Sequence, residues 1–248
     1  MRVEFLGTAG YHPNETRHTS CVYVPDAAPD AGFVLDAGTG FFRLAHKPLP
    51  SRLHIFLSHA HLDHVAGLTY LLDVLYGRQC EITLYGSACA LHTVRHDLFD
   101  SPLFPLPFSH LTQTVEADAA FEVEGVRVRA CDLTHPGGSL GYRFDWQNPK
   151  SLAYITDTAG DGRYLEFIQN ADLLIHERNF SDDLEKVADA SGHCTSQAVA
   201  RIARAANIRQ IALTHFNPLT PVDPASQDDL QREFPDAVFA RDNLVLDL

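Results

Sequence analysis

The stretch Phe56-Leu57-Ser58-His59-Ala60-His61-Leu62-Asp63-His64-Val65-Ala66-Gly67 runs from an apolar strand, through a turn with three histidines and an aspartate, into the start of a helix. Histidines two apart at a strand end turn neutral imidazole nitrogens toward one metal ion, while Asp63 and His64 at the helix start face a neighbouring position. One segment thus seeds two adjacent metal sites. Four donors do not complete two sites, so further donors are expected at other strand ends. Asp132-Leu133-Thr134-His135-Pro136-Gly137-Gly138 places His135 after the strand Val126 to Cys131. Tyr154-Ile155-Thr156-Asp157-Thr158-Ala159-Gly160 places Asp157 after the strand Leu152 to Thr156. Ile211-Ala212-Leu213-Thr214-His215-Phe216-Asn217-Pro218 places His215 after the strand Gln210 to Thr214. Any one alone reads as a loop or capping residue; three in series after the first motif read as ligands.

Working outward, Val3 to Leu6, Cys21 to Val24, Phe33 to Leu35, Leu53 to Leu57, Glu81 to Tyr85, Leu140 to Phe144, Asp172 to His176 and Asn243 to Leu246 also read as strands. His64 to Tyr76, Ser87 to Leu98, Thr195 to Ala206 and Pro224 to Phe234 carry helical spacing, with caps at Ser87, at Thr195 and at Asp223 before Pro224. No repeat, low-complexity tract or long linker divides the chain, which reads as a single domain over residues 1–248. The apolar, proline-rich segment Ser101 to Phe108 is expected to pack as a loop, with a lid or subunit contact as its other reading.

Nineteen basic against thirty-two acidic residues give a net charge of −13. No cationic cluster of the kind that grips nucleic acid stands out, which lowers the odds of a large RNA partner. No apolar run approaches a membrane span, and the start Met1-Arg2-Val3-Glu4 is no secretory signal, so a cytoplasmic protein with no membrane partner is expected. Five cysteines (Cys21, Cys80, Cys89, Cys131, Cys194), none in a C-x-x-C pair, read as scattered buried thiols.

Taken from Gly7-Thr8-Ala9-Gly10 through Leu35-Asp36-Ala37-Gly38-Thr39-Gly40 to His215, the series resembles the metallo-β-lactamase superfamily, in its ribonuclease Z-like and cyclic phosphodiesterase-like branch. The resemblance implies an α/β fold, a four-layer αββα sandwich of two mixed sheets flanked by helices. It implies that His59, His61 and His135 hold a first metal, that Asp63, His64 and His215 hold a second, and that Asp157 bridges them. Asp36 matches an aspartate that supports the metal-binding loop from behind. Leu173-Leu174-Ile175-His176-Glu177 and Ser191-Gly192-His193-Cys194-Thr195 look like the paired loops of nuclease-like members. There His193 would contact the scissile phosphate and protonate the leaving oxygen, with Glu177 orienting it. Thr195 reads as a helix N-cap first and a phosphate contact second, and strand alternation makes His176 structural. The other histidines read as surface or packing residues, His12 and His18 lying on early loops that border the cleft.

Two zinc ions, or manganese or iron in their place, would share a hydroxide that attacks phosphorus in line, with Asp63 accepting the proton. Asp157 stands where secreted, antibiotic-degrading members place a cysteine. Only a short hairpin, including Trp146-Gln147-Asn148-Pro149-Lys150, separates His135 from Asp157, where tRNA-processing members insert a long arm. A small phosphodiester, a cyclic nucleotide or cyclic sugar phosphate, is therefore the expected substrate. RNA 3′-processing ranks second, lactone or thioester hydrolysis third, and a non-catalytic metal-bound regulatory protein last. A homodimer is expected by analogy with relatives.

Overall fold

A computed structural model describes residues 1–220, 227, 230–232 and 234–248, and divides the chain into two compact units. Unit 1 comprises residues 1–116 with 242–247, and unit 2 comprises 117–241 with 248. In unit 1 the apolar runs become β1 (Arg2–Gly7), β2 (Cys21–Ala28), β3 (Ala31–Leu35), β4 (Arg52–Phe56), β5 (Glu81–Gly86) and β6 (Leu111–Thr114). The first three pair antiparallel, whereas β3 to β6 pair parallel. Parallel neighbours require crossovers, and these carry the helical segments. A 3₁₀ helix (Thr39–His46) joins β3 to β4. Then α1 (Leu62–Val65), a 3₁₀ turn (Ala66–Tyr70) and α2 (Leu71–Val74) join β4 to β5, and α3 (Ala88–Thr93) with a π turn (Val94–Leu98) joins β5 to β6. Their apolar sides (Phe41, Leu44, Leu68, Val74, Leu91, Val94) cluster with Val34, Leu53, Ile55 and Leu84 of the strands. Each such side chain contributes about 1.5–3 kcal/mol by leaving water.

Unit 2 contains β7 (Ala120–Val123), β8 (Val126–Leu133), β9 (Ser139–Asp145), β10 (Ser151–Ile155), β11 (Leu173–Glu177), β12 (Gln210–Thr214) and β13 (Val238–Phe239). Here β7 to β10 pair antiparallel and β10 to β13 parallel. Crossovers supply α4 (Leu165–Ile168), α5 (Glu185–Ser191) and α6 (Ser196–Ala205). The apolar stripe of α6, Val199, Ile202 and Ala203, packs with Ala153, Ile155, Leu174, Ile211 and Leu213. After unit 2 the chain returns to unit 1, where β14 (Val245–Asp247) pairs antiparallel with β1 and makes its sheet seven-stranded. The result is the expected architecture, two mixed seven-stranded sheets with helices.

Three strands went unpredicted: β6, β7 and β13. Each lies at a sheet edge and is only two to four residues long, with residues mostly exposed or half-buried, too short a run for a two-residue apolar period to stand out. The continuous helix expected from His64 to Tyr76 is broken instead into short turns. A Cβ at Gly67 would lie 2.1 Å from Gly38 O and 2.6 Å from Phe41 Cβ, so close contact with another backbone shapes that segment. Ser87 and Thr195 do cap α3 and α6, accepting from Ala90 N and Ala198 N. The helix expected over Pro224 to Phe234, with Asp223 and Pro224 at its start, falls mostly outside the described residues. Of the thiols, Cys21, Cys131 and Cys194 are buried, but Cys80 is half-buried and Cys89 exposed on α3. In the proline-rich loop Phe104 and Phe108 pack against Phe99, while Leu103 is exposed. Among the described residues no helix is long and apolar enough to cross a membrane.

Candidate metal-binding site

Most of the expected site residues lie at or just beyond the carboxyl ends of strands, Asp36, His59, Asp157 and His215 after strands of the parallel ladders, where open α/β sheets place their ligands. In unit 1, Asp36 follows β3 and the segment 58–64 follows β4. Asp36 is fully buried, with φ of 56°. Its carboxylate accepts from Ser58 N at 2.8 Å and from Ser58 Oγ at 2.8 and 3.0 Å, and it meets His64 Nδ1 at 2.8 Å. Donating Nδ1–H to a buried carboxylate fixes the His64 tautomer and turns Nε2 outward, to 3.3 Å from Asp63 Oδ2. Ser58 Oγ also lies 3.0 Å from His59 Nδ1. The rings of His61 and His64 stand 4.4 and 4.2 Å, centroid to centroid, from that of His59. A Cβ on Gly38 would fall 2.1 Å from Asp63 O, so only glycine lets the two loops approach this closely.

In unit 2, His135 follows β8, Asp157 follows β10 and His215 follows β12, while Glu177 ends β11. Asp157 (φ 48°) and His215 (φ 58°) both occupy the left-handed region, a strained backbone that tends to persist at functional sites. Asp157 Oδ2 lies 3.6 Å from His135 Nε2, and its Oδ1 lies 3.2 Å from His215 Nε2. Helix α5 ends on Gly192 in the left-handed conformation (φ 77°), with His193 N donating to Ala188 O. That turn aims the Gly192 carbonyl at His135 Nδ1, 3.0 Å away, and presents His193. Glu177, fully buried, accepts from Thr158 N at 2.9 Å and Cys194 N at 3.2 Å, and meets His193 Nδ1 at 2.8 Å. The His193 ring stacks on His215 (5.7 Å, 21°) and tilts against Phe180. Ligand atoms of Asp157, His193 and His215 lie within 4.8 Å of one another.

Each unit therefore gathers its own expected residues: His59, His61, Asp63 and His64 in one, and His135, Asp157, Glu177, His193 and His215 in the other. His176 points away, fully buried between Tyr164 Oη (2.6 Å) and Glu177 O (2.8 Å). Burial pushes the Cys194 thiol well above its ordinary pKa, so it stays protonated and is no nucleophile despite its neighbour. Sequence reading missed Ser58, Thr158 and the Gly192 carbonyl as supports, because a backbone or hydroxyl contact leaves no residue-type signature. It also missed Tyr11, whose amide donates to Asp63 Oδ2 at 2.7 Å. The donors suit a divalent ion: imidazoles and carboxylates without a thiolate, with His64 and His135 oriented from behind as ligating histidines are.

The family model described as a beta-lactamase superfamily domain matches residues 31–216, from β3 to just past His215. A ribonuclease Z of Prochlorococcus marinus (strain NATL1A) is 28% identical over 311 aligned positions, which take in all of this chain and 99% of the relative. Those 311 positions exceed the 248 residues here by 63, so the relative has residues that this chain lacks. Among solved structures, the metallo-β-lactamase fold protein YhfI of Bacillus subtilis superposes with a TM-score of 0.81 at 22% identity, covering 99% of this chain and 98% of its own. The short form of human tRNase Z gives 0.77 at 24% identity, covering 100% and 99%. The chain belongs to the beta-lactamase superfamily and is a metal-dependent hydrolase within it.

Proposed function

We propose that this hydrolase cleaves a small phosphodiester, of the size of a cyclic nucleotide or cyclic sugar phosphate. The observation that carries the reading is the chain between His135 and Asp157. Its residues form β9, β10 and the turn between them, closed by Trp146 N donating to Lys150 O at 2.9 Å. That leaves no length for an arm able to hold a folded RNA, which fits the shortfall against the ribonuclease Z relative. The ligand set follows the family: His59, His61 and His135 for one ion, Asp63, His64 and His215 for a second, with Asp157 shared. Zinc is our choice, with manganese or iron(II) accepted by the same donors. Bound there, such ions lower the pKa of water toward neutrality and offset charge on phosphoryl oxygens. The chain's own groups do the rest. Asp63 Oδ2, already accepting from the Tyr11 amide, takes the proton of the attacking water. His193, its Nδ1 held by Glu177, presents Nε2 to protonate the departing oxygen.

Zinc-loaded protein should hydrolyse bis(4-nitrophenyl) phosphate, and a chelator should abolish turnover. His193→Ala should lose about 10²–10⁴-fold in kcat, the usual worth of general-acid catalysis. Full activity in that variant would sink the assigned role and favour lactone or thioester hydrolysis, which needs no such acid. The relatives named ribonuclease Z and tRNase Z favour RNA 3′-processing as the second reading. Cleavage of a tRNA precursor more efficiently than of cyclic nucleotides would decide for it.

A further inference from the structure

The loop between β1 and β2 is fixed at its base and exposed at its tip. Thr8 N and Ala9 N both donate to His18 O at 2.8 Å, and Asn14 Oδ1 accepts from Thr16 N and Arg17 N. Arg17 Nη1 donates to Thr8 Oγ1 at 2.6 Å, which donates in turn to Asp242 Oδ1 at 2.7 Å. At the tip, His12 N donates to Gly10 O at 2.7 Å across Tyr11, whose φ is 64°. A three-residue turn of this hand is rare and strained, and for an aromatic residue positive φ is a genuine outlier. Such strain persists only where the surroundings impose it, and it marks ligand clamps and active sites. Here the turn brings the Tyr11 amide to Asp63 Oδ2 at 2.7 Å and leaves Tyr11 75% exposed. The His12 ring adjoins it (5.2 Å, 59°), its Nδ1 lying 2.8 Å from Pro13 O. Core packing does not account for Tyr11, since the other large aromatics of β2, β3 and β4 (Tyr23, Phe33, Phe56) are fully buried.

We infer that Tyr11, with His12 at its side, is a specificity-determining platform on which a nucleobase of the substrate stacks, selecting nucleoside phosphodiesters over alkyl ones. The inference rests on the phosphodiesterase reading. Every nucleobase offers a π-face, and stacking on an exposed aromatic ring favours the nucleoside ester by about 5- to 150-fold.

The test pairs two chromogenic esters, thymidine 5′-(4-nitrophenyl) phosphate and methyl 4-nitrophenyl phosphate, which share a leaving group and differ in carrying a nucleoside. Wild type and Tyr11→Phe should prefer the first by about that factor in kcat/KM. In Tyr11→Ala and Tyr11→Gly the ratio should fall close to one. Glycine accepts the positive φ and keeps the amide that Asp63 uses, so selectivity lost there is lost with the ring. A ratio unchanged in both variants overturns the platform, as does equal use of the two esters by wild type. If no form of the protein turns over either ester, the phosphodiesterase reading fails, and thymidine 5′-monophosphate binding to zinc-loaded protein judges the platform separately. A Kd raised several-fold in Tyr11→Gly supports it, and an equal Kd overturns it.

Discussion

Glu177 and His176 are neighbours on β11 that alternation sends opposite ways, and their surroundings give them opposite chemistry. Glu177 keeps a buried carboxylate by accepting two amides and meeting one imidazole. His176 is held neutral, with Nδ1–H donating to Glu177 O and Nε2 accepting from the Tyr164 hydroxyl. Burial pushes its pKa below the ordinary histidine value, and the contact with Glu177 offsets this only in part. The unfolded chain thus takes up that proton at higher pH than the folded protein. The stabilisation is complete above about pH 6.5, the value of an unperturbed histidine, and is lost as pH falls from there through the folded pKa. Thermal unfolding of chelated protein between pH 8 and pH 5 should show a smaller acid-side loss in His176→Gln than in wild type. Equal slopes would mean that other groups carry the acid sensitivity.

At the scale of elements, several strands of the parallel ladders hand over directly to a polar residue of the candidate site: Asp36 after β3, His59 after β4, Asp157 after β10 and His215 after β12. This much was legible, because a buried strand is an unbroken apolar run and the polar residue that ends it stands out. The edge strands β6, β7 and β13 were not, since runs of two to four residues, mostly exposed or half-buried, are too short to display a period. Nor was the Tyr11 turn, because a backbone angle imposed by a distant carboxylate leaves no trace in residue type. The broken helix after β4 is a third case, set by Gly67 pressing on residues 37–41 rather than by local propensity. Gly67→Ala would place a Cβ 2.1 Å from Gly38 O and 2.7 Å from Ala37 O. It should cost about 1–3 kcal/mol in denaturant unfolding and weaken metal binding measured by titration, because Asp63 and His64 ride on the displaced segment. Unchanged stability would show that the contact yields easily.

At the scale of the whole molecule, unit 1 is discontinuous, completed by residues 242–247 after the entire second unit. Asp242 is its clasp. Its carboxylate, only 4% exposed, accepts from Thr8 Oγ1 and His18 N at 2.7 Å and pairs with Arg43 at 3.1 Å. Asp242→Ala takes the carboxylate from two donors and from a half-buried cation that keeps the Leu6 carbonyl, so a loss of about 3 kcal/mol is expected in urea unfolding. The β1–β2 loop that presents Tyr11 should exchange its amide hydrogens faster in the same variant. Wild-type exchange at Thr8 and Ala9 would show that the clasp is dispensable.

The discontinuity also sets a timetable for synthesis. On the ribosome β1 emerges early, but Phe5 N and Phe5 O wait for Leu244 O and Asn243 N until residues 117–241 have been translated, on the order of ten seconds later. Throughout that interval the nascent sheet presents a bare edge to every other unfinished chain nearby. Arg2 and Glu4 lie along that same strand, and charges on an exposed edge oppose pairing with other chains.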